Sequence, residues 1–230
     1  MPATAGVWGG RTAEQRRAER RQRLITAATE IWSESGWAAV TMRGVCSRTS
    51  LNDRYFYQEF ADRDALLAAV WDGARDETIA LLATLIAENA GRSPLNTLRQ
   101  AISAVVDRVA GDPGWAQILF GEHTGSQILE QRRSAALQSA TDLLVLASSA
   151  YTEPDIDETA LRMDAFVGIG GFVELIKAWR QGLIGTDAQQ IIDHTSRLGA
   201  TLAADYLRPE YRRTLVGGMR NSDLRGEEPA

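Results

Sequence analysis

From Leu24 to Leu202 the apolar residues of this chain recur three and four positions apart, with no alternating stretch of any length. That period belongs to helices packed by one face, so the sequence predicts an all-α fold of about nine helices. A first helix is expected over Ala13–Ser35, carrying Leu24, Ile25, Ala28, Ile31 and Trp32 inward. Gly36 stands where a left-handed residue ends such a helix, and Trp37 is then placed to fold back on Trp32.

Two short helices follow. Thr41 caps one running to about Arg48, Thr49-Ser50-Leu51 makes a tight turn, and Asn52 caps the other, with Asp53 favouring its positive end. Phe56 and Phe60, four apart, anchor that helix, leaving Asn52, Asp53, Arg54, Tyr55 and Gln58 outward. Asp62 opens a long helix through Ile86; the rest of the body is expected over Ser93–Ala110, Trp115–Phe120, Ser126–Ala150 and Ile156–Gln181. A last helix should open at the capping-box spacing Thr186–Gln189 and stop before Pro209. The expected organisation is a flexible arm over 1–12, a helix-turn-helix domain over 13–66, a helical ligand-binding and dimerisation domain over 67–211, and a disordered tail over 212–230.

Composition removes several classes. A single cysteine forms no internal disulfide, and two histidines beside it make a poor set of metal ligands, so neither a secreted disulfide scaffold nor a zinc finger is expected, and no metal or cofactor is assigned. Apolar runs are broken well short of a bilayer span, and no apolar segment of signal-peptide type follows the arginine-rich start, so no membrane association and a cytoplasmic location are expected. The net charge of −5 is unevenly spread: residues 1–64 hold ten arginines and eight acids, whereas the remainder is strongly acidic. A basic head on an acidic body suits phosphate contact by the head alone.

A long helix followed by two short ones joined by a three-residue turn is the frame of a helix-turn-helix reader of the major groove. Over Leu24–Trp71 the sequence resembles the DNA-binding domain of the tetracycline-repressor (TetR) family of transcriptional regulators. Ile25, Ala28, Gly36, Thr41, Val45, Leu51, Tyr57, Phe60, Arg63, Leu66 and Leu67 keep that family's spacing without gaps. It departs at Cys46, where alanine is usual, at Thr49-Ser50 in place of Ala-Gly, and at Arg54 and Tyr55, where small and hydroxyl residues are usual. The resemblance implies that Thr41, Tyr57 and Arg63 contact phosphates, with Arg43, Asn52, Arg54 and Tyr55 the candidate base readers. The Arg11–Arg23 segment is expected to track phosphates or reach a minor groove.

The resemblance further implies a homodimer on palindromic operator DNA, acting as a repressor released by a small-molecule effector. Ala165–Val173 is apolar or small all round, so it is expected to meet its own core on one side and a twin on the other. Gly168, Gly171, Phe172, Leu175, Trp179, Leu198 and Leu202 are the candidate dimer residues. Trp71, Trp115, Phe120, His123, Phe166 and Phe172 are candidates for lining an effector pocket, although aromatic residues at helical spacing are more often plain core. No catalytic residue is assigned, since no phosphate loop, Cys-His pair or acidic metal motif occurs. The alternatives are an enzyme, or a helical adaptor that binds protein and not DNA.

Overall fold

The computed structural model describes residues 12–212 and contains nine α-helices and one 3-10 turn among them. The helices are α1 (Ala13–Ser35), α2 (Met42–Thr49), α3 (Asp53–Glu59), α4 (Arg63–Glu88), α5 (Pro94–Gly111), α6 (Pro113–Phe120), α7 (Gln127–Ser148), α8 (Glu158–Arg180) and α9 (Ala188–Ala203). The expected all-α class holds, with no β-strand among the described residues beyond the isolated bridge Thr152–Leu207. The expected arm and tail fall, but for residue 12 at one end and 212 at the other, outside the described residues.

The chain forms two compact units. One runs through Glu77 and adds Asp112–Arg133; the other is Thr78–Gly111 with the chain from Ser134 onward. In the first, α1 lies against α6, α2, α3 and the 3-10 turn Trp37–Ala39. Its core holds Leu24, Trp32, Val45, Phe56, Leu66 and Leu67, each fully buried. Burying each such side chain contributes roughly 1.5–3 kcal/mol. In the second unit α9 lies against α5 and α8, with Ile176, Ile191 and Ile192 buried.

Local chemistry sets the helix ends. Thr12 opens α1 with a full capping box: its hydroxyl accepts from Gln15 N at 3.1 Å, and the Gln15 side chain accepts from Thr12 N at 2.8 Å. Gly36 closes α1 at φ 80°, ψ 165°, a positive φ that glycine adopts without penalty but outside the left-handed helical well expected for it. Trp37 takes Arg63 over its ring at 5.3 Å, while Trp32 meets His123 edge-on at 5.8 Å, so the expected Trp37–Trp32 fold-back gives way to these two pairings.

Two other boundaries move. α6 starts at Pro113 rather than Trp115, because Asp112 caps it by accepting from Trp115 N at 2.9 Å and proline suits the first helical turn. The cap of α9 is Asp187, accepting from Gln190 N at 2.8 Å, one residue past the expected Thr186. That helix ends at Ala203, and Tyr206 is then free to turn back onto α8, donating its hydroxyl to Asp164 Oδ2 at 2.5 Å.

Candidate nucleic-acid interface

The candidate reading helix is α3, a seven-residue segment capped at both ends. Asn52 Oδ1 accepts from Tyr55 N at 3.1 Å and Asp53 sits in the first turn, so an acceptor and a carboxylate meet the positive helix end. Phe56 is fully buried and Phe60 nearly so, their rings 5.9 Å apart. Every side chain between the cap and Gln58 except Phe56 is therefore presented outward. Tyr57 is 57% exposed and Tyr55 38%, large values for aromatic rings.

α2 meets α3 through a turn at Ser50, which adopts φ 54°, ψ 31° and is the one non-glycine residue with positive φ among the described residues. The turn thus takes the left-handed shape glycine serves at no cost, in a chain that has serine there. Thr41 caps α2, its hydroxyl oxygen accepting from Gly44 N at 3.1 Å, which leaves the hydroxyl proton for an outside acceptor. Cys46, buried in α2, has its thiol pushed up by burial first and by Asp53 second, so it stays protonated and unreactive.

The arginines divide into two groups. Arg43 and Arg54 are exposed and make no ion pair or hydrogen bond with another described side chain. The other described arginines of this unit are engaged with the fold. Arg48 donates to Glu34 at 2.9 and 3.0 Å, and that bond lowers the Glu34 carboxyl below its ordinary range. Arg23 donates to Thr49 O at 2.5 Å, at the carbonyl end of α2. Arg17 and Arg20 reach the Glu59 carboxylate at 3.1 and 3.4 Å, and Arg21 donates to Glu59 O at 2.8 Å while lying over the Phe60 ring. From Ala13 the basic segment is therefore helical, and four of its arginines hold the C-terminal ends of α2 and α3, where carbonyl charge favours cations.

Among the expected phosphate contacts, Thr41 and Tyr57 lie exposed, while Arg63 is turned onto protein. Its guanidinium donates to Val40 O at 2.5 Å, Trp37 O at 2.7 Å and Ala38 O at 3.3 Å. Among the expected base readers, Arg43, Arg54 and Tyr55 are exposed and Asn52 spends its side-chain oxygen on the cap. Glu59 went unnoticed in the sequence; the signal was there in Arg17, Arg20 and Arg21, three and four apart on one helix face and needing a counter-ion.

In the body, Trp71, Trp115 and His123 are buried in the first unit, where Trp115 meets Phe120 at 5.7 Å. Phe166 and Phe172 belong to the second unit, Phe166 being 45% exposed on α8. Among the described residues no group of three or more His, Cys, Asp or Glu is arranged to hold a metal ion, and no helix is long and apolar enough to cross a membrane.

Residues 24–70 match the family model described as bacterial regulatory proteins, tetR family. The fold resembles NalD, the secondary repressor of the MexAB-OprM multidrug efflux pump of Pseudomonas aeruginosa, at 16% identity and TM-score 0.61, over 84% of this chain and 99% of that one. It also resembles SmeT, the repressor of the Stenotrophomonas maltophilia efflux pump SmeDEF (15% identity, TM-score 0.62, 82% and 91% covered). The fatty acid degradation regulator FadR of Bacillus halodurans is similar too (14% identity, TM-score 0.62, 78% and 93% covered). No curated relative matches the chain.

Proposed function

We propose that this chain, a member of the tetR family of bacterial regulatory proteins through residues 24–70, is a transcriptional regulator that lays α3 in the DNA major groove. The observation that carries this reading is the outward face of α3. A capped helix anchored by Phe56 presents Arg54 and Tyr55 without a competing carboxylate, and Arg43 on α2 is equally unpaired. Arg54 suits bidentate contact with guanine, and Tyr55 suits a thymine methyl. Thr41 and Tyr57 supply hydroxyls to phosphates, which set register without reading sequence.

One α3 covers only a few base pairs, so the reading requires a homodimer on a palindromic operator, its half-sites about one DNA turn or a multiple apart. Repression, in line with the efflux-pump repressors of similar fold, is the accompanying proposal, and its relief by a small-molecule effector goes with it. An effector acts only through its difference in affinity for the DNA-bound and free forms. Selection of duplexes from a random pool by the intact chain tests the function. An enriched inverted repeat, with binding that weakens steeply as salt rises, is the expected result. Recovery of no duplex above background sinks the proposal.

A further inference from the structure

The Glu59 side chain is 1% exposed, although it ends a helix whose other polar residues face solvent. A carboxylate so placed loses its water and must be given cations or donors instead. One face of α1 provides them: Arg17 Nε lies 3.1 Å from Oε2 and Arg20 Nη2 lies 3.4 Å from Oε1. The same two side chains reach beyond Glu59. Arg17 donates to Gln58 O at 3.2 Å, and the Arg20 guanidinium stands 5.1 Å from the centre of the exposed Tyr55 ring. Glu59, Arg20 and Tyr55 thus form a chain from a sealed carboxylate to a groove-facing aromatic.

We infer that Glu59 is a positioning residue that sets sequence selectivity without touching DNA, by holding Arg20 over Tyr55 and by keeping Arg17 and Arg20 off the phosphate backbone. The inference rests on α3 being the DNA reader. Phosphate contacts strengthen binding to every sequence alike, whereas base contacts separate one sequence from another. A carboxylate that engages two arginines beside the reading helix therefore trades indiscriminate affinity for discrimination. It also fixes the ring that has to meet a base edge.

The test uses the full chain and the isosteric Glu59→Gln. Affinities for a selected operator and for an unrelated duplex are measured across a salt series by fluorescence anisotropy. The expected variant binds the unrelated duplex more tightly, with its salt slope steeper by about one, the yield of one further phosphate contact. Its operator preference falls about tenfold. A purely structural role predicts no gain in binding to unrelated DNA, so an unchanged slope and preference in a variant that melts like wild type overturns the inference. If Glu59→Gln does not fold, Arg20→Gln decides, because it frees the Tyr55 ring while Arg17 still engages Glu59. A fivefold or greater loss of operator preference with no steeper slope supports the inference, and wild-type preference overturns it. Wild-type protein that retains no duplex at all overturns the reading of α3, and this inference with it.

Discussion

Two residues of the helix-turn-helix separate what holds the module from what it presents. Ser50 occupies the left-handed region at φ 54°, where an L side chain costs roughly 1–2 kcal/mol. Ser50→Gly relieves that strain but gives the unfolded chain more freedom, so the net gain should be about 0.5–1 kcal/mol. It would be read as a higher urea midpoint at an unchanged denaturant slope; a lower midpoint would refute the strain. Arg54 is the reverse case, exposed and bound to no other described residue, so its loss should leave stability untouched. Arg54→Ala is expected to weaken operator binding by ~1–3 kcal/mol and to relax selectivity at one base position. Titration against operators altered at single positions reports this, and uniform weakening at all positions would mark Arg54 as a phosphate contact instead.

At the scale of elements, side chains that tie helix ends to turns do much of the work, and these were the least legible in the sequence. Periodicity located all nine helices, and Gly36, Thr41, Asn52 and Pro94 marked boundaries because caps and breakers act within a few residues of themselves. Arg63 carried no such local mark: its partners Trp37, Ala38 and Val40 are more than twenty positions away. Only the family resemblance pointed it toward phosphate. Arg63→Lys should therefore lower the stability of the native fold by about 2 kcal/mol, because a point-charge ammonium does not span three carbonyls as a guanidinium does. Melting without DNA checks this, and an unchanged transition would return Arg63 to the phosphate role. Tyr206 makes a similar long-range tie in the second unit, and its hydroxyl is pushed up to about 12, first by the bond to Asp164 and then by burial. Because the folded form holds this proton more tightly than the unfolded one, the bond stabilises fully below pH ~10, the ordinary tyrosine value, and fades as the pH rises toward 12. Tyr206→Phe is expected to cost about 1 kcal/mol at pH 8, a deficit that shrinks above pH 10 in alkaline melting curves. A deficit constant with pH would remove the bond from the account.

For the molecule as a whole, the question is what covers α8. Met163, Phe166 and Val167 are 59%, 45% and 65% exposed at helical spacing, and Leu198 on α9 is 47% exposed. Large apolar side chains at i, i+3 and i+4 usually face a core, so this set is the face on which the proposed homodimer would close. The sequence reading placed the dimer face on Gly168, Gly171, Phe172, Leu175 and Trp179 of α8 with Leu198 and Leu202 of α9, starting from the all-round apolar stretch Ala165–Val173 that holds Phe166 and Val167. Within the chain, however, a Cβ on Gly168 would stand 3.3 Å from Leu202, and Trp179 donates to Thr186 O at 2.8 Å, so those groups are partly spent on their own subunit. Gly171 remains open, with nothing within 4 Å of the position a Cβ would take. An isologous contact places each such residue against the same surface of a twin, so one introduced charge acts twice. Val167→Glu is therefore expected to yield monomers at micromolar concentration by sedimentation, with the helical signal retained. Operator affinity should then fall by at least a hundredfold, because each α3 binds a half-site alone and forfeits the effective concentration that linkage provides. A Val167→Glu chain that still sediments as a dimer would move the interface elsewhere, and a wild-type monomer would remove the palindrome from the proposed function.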